Sequence, residues 1–191
     1  MAKLNQLGDA RSIWRNRIVW QSLFLSVCTV WLSSALAQES ELHIKAAFLY
    51  KFCGYTNWPS TSFTSDEAPL VISIMASADV VQEIQSLLQG KSVGNRSVLV
   101  NDATTEAPAE HAHLLYIHGQ FLLLATDVAK VRTYMNKPVL IVTEAQPQPI
   151  YSVINFVRQD PYIRFQISRS RAEMVGLKLS SQLLSVAAHV R

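Results

Sequence analysis

The groups able to do chemistry in this chain of 191 residues are five His, two Cys and 14 Asp or Glu. The nearest approach to a metal site is His111-Ala112-His113 with His118. A zinc site wants three or four converging ligands. On one extended strand, residues 111 and 113 share a face and 118 falls on the other. The only additional soft ligand, Cys53, is distant in sequence. These His therefore read as strand-entry and strand-exit residues, and no metal is expected. G-x-G-x-x-G, G-x-x-x-x-G-K-[ST], H-E-x-x-H, G-x-S-x-G and C-x-x-C are all absent. No local spacing joins a nucleophile to a base, so no catalytic residue and no cofactor is expected.

Two features remain. Open parallel sheets bind ligands at the carboxyl ends of their strands. Here that places Ser77, His118 and Thr143 around a candidate crevice for a small ligand. Ordinary capped loops are the competing reading, since most loops after strands carry no ligand. The second feature is Tyr55-Thr-Asn-Trp58-Pro59. A Trp at a helix end is either a core plug or an exposed aromatic anchor for a partner. Tyr55 and Trp58 are the candidate partner contact.

The elements that must position these residues alternate between two periodicities. Glu39 to Tyr55 predicts a helix, with Ile44, Ala47, Phe48, Phe52 and Tyr55 as its apolar stripe. Ser40 can cap its start, and Trp58-Pro59 ends it. Leu70 to Met75 is a short apolar run rich in β-branched residues, which suits a strand covered on both faces. Asp79 to Gln89 predicts a helix, with Asp79 and Gln82 approximating a capping box. Ser97–Asn101, His113–His118 and Val139–Thr143 are further strands. Gly119–Met135 is mostly helix, its stripe Leu122, Ala125, Val128/Ala129 and Arg132. Tyr151–Val157 and Tyr162–Ile167 form a hairpin that adds antiparallel edge strands. Glu173–His189 is a final helix with Gly176 as a kink or break. Met174, Leu177, Leu183 or Leu184, Ala187 and Ala188 face inward on it. The fold class that follows is α/β: a mostly parallel sheet with helices on both faces and a C-terminal antiparallel hairpin and helix.

Residues 1–37 stand apart. Lys3, Arg11, Arg15 and Arg17 precede Ile18–Leu32, which carries no charge, and Ala35-Leu36-Ala37 follows. This is the secretory signal pattern, with cleavage near Ala37. An uncleaved anchor is the alternative, but Gln21, Ser22, Ser26, Ser33 and Ser34 dilute the apolar stretch. The expected domain is then 38–191. The leader takes four of the 17 Lys and Arg and one of the 14 Asp and Glu, leaving 13 of each and no net charge. The basic balance belongs to the leader, and nucleic-acid binding is not expected. Cys53 alone remains in the exported part, so no internal disulfide can form. It reads as a small buried apolar residue, with an intermolecular bridge or a reactive thiol as the sharper alternative.

Four segments, in order along the mature chain, together resemble the YfiR family of exported bacterial proteins. They are Ile44-Lys-Ala-Ala-Phe-Leu-Tyr-Lys-Phe52 with Trp58-Pro59; Leu70-Val-Ile-Ser-Ile74 followed by Gly90-Lys91; Val153-Ile-Asn-Phe156 with Arg164-Phe-Gln-Ile-Ser168; and Ala172 to Leu184. The resemblance implies a periplasmic α/β protein that is not an enzyme and that dimerises. Its best-understood member holds an inner-membrane diguanylate cyclase inactive by binding that enzyme's periplasmic sensor part. The founding member carries stabilising disulfides; here Cys53 is alone, and the strand that bears a Cys in many relatives begins His111-Ala112-His113. The family ending Phe-Glu-Ile-Asn appears as Phe165-Gln-Ile-Ser168. The expected role is a regulator in cyclic di-GMP signalling whose partner is such a cyclase or another envelope sensor protein. The alternative is a periplasmic small-ligand binding protein using the strand-end crevice.

Overall fold

A computed structural model describes residues 41–104, 111–119, 121, 125–144 and 147–191. By its contacts the chain divides into residues 1–41 and 42–191. The leader, Ser40, Leu122 and the side chains of Ala125 and Val128 lie outside the described residues.

Helix α1 covers residues 41–54. It buries Lys45, Ala46, Leu49, Phe52 and Cys53, while Ile44 and Ala47 face solvent. The apolar stripe expected through Ile44 and Ala47 is thus turned by about one position, because the sheet receives the side that carries Lys45. A two-residue strand follows, β1 (Thr56–Asn57). Then β2 (Leu70–Met75) leads into α2 (Ala78–Leu88). Ser77, not Asp79, holds the cap position of α2. Asp79 lies in the first turn, where a negative charge suits the helix amino end. Val80, Val81, Ile84 and Leu88 form the buried stripe of α2.

The chain continues through β3 (Ser92–Val93), β4 (Arg96–Asp102), β5 (Leu114–Ile117), α3 (Ala125–Arg132) and β6 (Leu140–Thr143). The hairpin is β7 (Ile154–Gln159) and β8 (Tyr162–Ile167). Strands β4, β2, β5, β6 and β7 are parallel neighbours in that order. β8 runs antiparallel to β7 and β3 antiparallel to β4. Leu114, Leu115, Tyr116 and Ile117 of β5 are wholly buried, as a central parallel strand covered on both faces requires.

Two apolar layers cover the sheet. On one face α1 and α2 pack with Ile72, Ile74, Leu114, Tyr116, Leu140 and Val142. Phe52 meets Phe165 edge-on at 4.9 Å and Phe156 at 5.7 Å between centroids. On the other face Val131 and Tyr134 cover Met75, Leu115, Ile117 and Ile141. Ala129 and Arg132, expected on the inner stripe of α3, are exposed.

The expected final helix over Glu173–His189 is not formed. The segment is α4 (Arg169–Met174), β9 (Lys178–Leu179), α5 (Ser181–Val186) and β10 (His189–Val190). Gly176 adopts φ +76°, a backbone state that a helix cannot continue through. β9 pairs antiparallel with β1, and the Ser180 N–H donates to the Tyr55 carbonyl at 2.9 Å. β10 pairs parallel with β8, so β8 is an interior strand, not the edge strand expected of the hairpin. Met174, expected inside, is 73% exposed.

Candidate functional site

The carboxyl ends of β5 and β6 hold a cluster of ionisable groups facing α1. Lys45 projects from the buried side of α1, and its Nζ donates to Glu144 Oε2 at 2.8 Å. The two side chains are only 7% and 13% exposed. The Tyr116 hydroxyl donates to Glu144 Oε1. His118 Nδ1 lies 2.9 Å from that hydroxyl and 3.2 Å from Glu144 Oε1. Burial by itself disfavours the Glu144 anion, but the His118 hydrogen bond and the Lys45 charge outweigh it and lower the pKa to about 2. Removing one partner of such a buried pair strands the other charge, at a cost of about 3–5 kcal/mol. A general base works best with a pKa near the working pH. A carboxylate held this acidic is a poor base at neutral pH. The cluster therefore pins α1 to the strand ends rather than awaiting a proton.

The three residues expected around a strand-end crevice sit in different surroundings. Ser77 is exposed at the start of α2, and His118 is partly exposed beside Glu144. Thr143 is wholly buried. Its hydroxyl donates to Asn155 Oδ1 at 2.6 Å and lies 2.8 Å from Ser152 Oγ. It shares the strand parity of Ile141, on the face covered by α3, whereas Glu144 turns toward α1. The geometry offers Thr143 no route to a ligand shared with His118.

Tyr55 and Trp58 are both half-buried against the core. The Trp58 indole N–H donates to the His113 carbonyl at 3.1 Å, and its ring meets the His113 ring edge-on at 5.9 Å. His113 is itself 2% exposed. Its Nδ1 accepts from the Val71 N–H at 3.1 Å, and Nε2 faces the Ser62 carbonyl at 3.1 Å. This arrangement suits a neutral imidazole protonated at Nε2. Burial drives the His113 pKa down to about 4, and the Arg96 charge adds to the shift. Phe63 stacks on His113 at 4.2 Å, and Arg96 sits over the outer face of Phe63 at 3.8 Å. Trp58 is thus a fastener for the loop between β1 and β2. Tyr55 lines a cleft of about 290 Å³ formed with Phe48, Phe52, Phe165, Leu183 and Val186. Val186 on its wall is 55% exposed.

His111 is exposed, His113 is enclosed and His118 pairs with Glu144. Among the described residues, no three His, Cys, Asp or Glu converge as metal ligands do. Cys53 is buried in α1, and burial pushes its thiol well above the ordinary range, away from the reactive thiolate.

Sequence reasoning missed Lys45, Tyr116 and Glu144. The available signal was a Lys placed four residues before Leu49 in an apolar helix. A charged residue on a buried face needs a partner.

The fold and its strand-end cluster define an α/β domain with a sheet covered on both faces and its buried charges locked in structural pairs. The family model described as YfiR/HmsC-like matches residues 42–188, and the chain belongs to that family, one of regulators rather than catalysts. No curated protein matches the chain closely enough to count as a relative.

Proposed function

We propose that this chain is an exported regulator that represses an inner-membrane diguanylate cyclase by binding the cyclase's periplasmic sensor region. The observation that carries the reading is the family match across residues 42–188. The leader pattern of residues 1–37 supports export, with cleavage near Ala37 and 38–191 as the working domain. No helix among the described residues is long and apolar enough to cross a membrane. Loss of the leader leaves a domain of balanced charge, suited to protein contacts rather than to a polyanion.

Repression follows from differential binding. The regulator prefers the sensor's inactive state, since equal affinity for both states shifts nothing. The contact proposed here is the cleft lined by Tyr55, with half-buried Trp58 as a second anchor. Half-buried aromatics on a fixed frame are suited to anchoring a partner. A homodimer, the assembly that the family implies, would present two such clefts.

The test is capture from detergent-solubilised inner membranes with the purified protein as bait. The expected result is retention of a diguanylate cyclase by the wild type and its loss with Val186→Asp, a change at an exposed site. Retention of no cyclase by the wild type contradicts the proposal.

A further inference from the structure

We propose that His113 is a proton-operated latch: a proton taken up at its buried Nδ1 releases the loop between β1 and β2 while the sheet stays folded. The contacts of that loop converge on His113. The Trp58 indole N–H donates to its carbonyl, Phe63 stacks on its ring at 4.2 Å, and the Ser62 carbonyl faces its Nε2 at 3.1 Å. From the sheet, the Val71 N–H donates to Nδ1 at 3.1 Å, and the Leu140 N–H donates to the His113 carbonyl at 2.8 Å.

The ring can hold these contacts in one protonation state only. A neutral imidazole has one donor and one acceptor, and an imidazolium has two donors. The neutral ring meets the Ser62 carbonyl with its Nε2 proton and the Val71 N–H with its Nδ1 lone pair. A second proton sets Nδ1–H against the Val71 N–H, two donors facing each other at a residue only 2% exposed. The charged groups around the ring oppose a positive charge on it. They are Arg96 of β4, which lies over Phe63 at 3.8 Å, and exposed His111 ahead of β5. Asp66 and Glu67 of the loop are exposed, and among the described residues no carboxylate pairs with His113. Burial holds the enclosed ring near a pKa of about 4, and a ring released into water returns to 6.5. Between those values the open loop is the form that gains the proton.

The loop is built to leave alone. Its side chains on the ring, Trp58 and Phe63, are half-buried, and its short helical turn Ser60–Ser62 buries no residue. Its remaining tie is Arg96 Nη1, which donates to the Ser65 and Ala68 carbonyls at 2.9 and 2.6 Å. Ile72 of β2 and Leu115 of β5, by contrast, are wholly buried. Segments with few buried side chains open at a lower free energy than the core. Trp58 is also the second anchor of the contact proposed above, so on that reading acid would alter partner binding as well; opening of the latch itself is read without any partner.

Hydrogen exchange of the purified protein, followed by NMR from about pH 4 to about pH 8 and corrected for the intrinsic exchange rate, tests this. The Trp58 indole N–H and the Val71 amide should be at least about tenfold less protected than the Leu115 amide at every pH. Their protection should be flat above pH 6.5 and fall about tenfold per pH unit from there to about 4. His113→Gln keeps a donor and an acceptor on a side chain that takes up no proton, so it should make the protection of Trp58 independent of pH. Should that variant fail to fold, the wild type carries the test through the break in slope at pH 6.5. The proposal is overturned if Trp58 and Leu115 are equally protected at every pH, since the loop then opens only with the whole fold. It is overturned as well by a Trp58 protection that does not change with pH, or by a slope that survives in folded His113→Gln.

Discussion

At the residue scale, two largely buried side chains with opposite charge habits should each make the fold less stable in acid. His113 is folded neutral, with a pKa lowered to about 4 against an ordinary value of 6.5. Between those values the unfolded chain binds more protons than the folded one, so stability falls as pH drops through the window. The loss amounts to about 2–3 kcal/mol. Glu144 is folded ionised, lowered to about 2 from 4.5. Its contribution is complete above pH 4.5 and disappears as the pH falls toward 2. Urea unfolding at a series of pH values should therefore show two successive declines. His113→Gln should start from a lower plateau and flatten the first decline alone; a first decline that survives the substitution assigns it elsewhere. Trp58 was legible as a residue that mattered, because a Trp before Pro at a helix end must go somewhere. Its partner was not, because His113 lies 55 residues away and only the fold brings the His113 carbonyl to the indole.

At the element scale, the strands were the most legible feature. Leu70–Met75 forms as the apolar run predicted, because a six-residue β-branched stretch has one good home in a covered parallel sheet. The C-terminal segment was the least legible. Residues 173–189 carry helix-forming side chains at helical spacing, yet two-residue pairings with β1 and β8 override that preference. Those pairings are tertiary and leave no periodic trace in a short window. Gly176 is the residue that permits the break. A Cβ there would approach Pro59 Cγ at 3.5 Å, an ordinary contact, so the cost of a side chain lies in the backbone. Gly176→Ala should lower stability by about 1–2 kcal/mol, the cost of a left-handed residue with a side chain. Gly54→Ala, in open space at the end of α1, should be neutral or gain up to about 1 kcal/mol. Chemical denaturation of both variants checks the contrast. An equal effect at the two sites would show that backbone geometry is not what Gly176 supplies.

At the scale of the whole molecule, the strand-end cluster and the loop fastener are both devices of rigidity. Lys45 and Glu144 join α1 to the sheet, and Trp58, His113, Phe63 and Arg96 join the following loop to it. A rigid frame that presents an aromatic cleft suits a protein that acts by contact, because pre-ordered side chains lose less entropy on binding. The mostly parallel sheet with helices on both faces could be argued from alternating elements. The family resemblance could be argued from four segments in register. The cleft proposed as the contact could not, because exposure of Val186 depends on the break between α4 and α5. The measurement that tests the central claim most directly is intracellular cyclic di-GMP in the bacterium that encodes this chain, with the gene deleted and then restored. The predicted result is a rise on deletion that the wild-type gene reverses and Val186→Asp does not. A cyclic di-GMP level unchanged by deletion under several envelope stresses would contradict it.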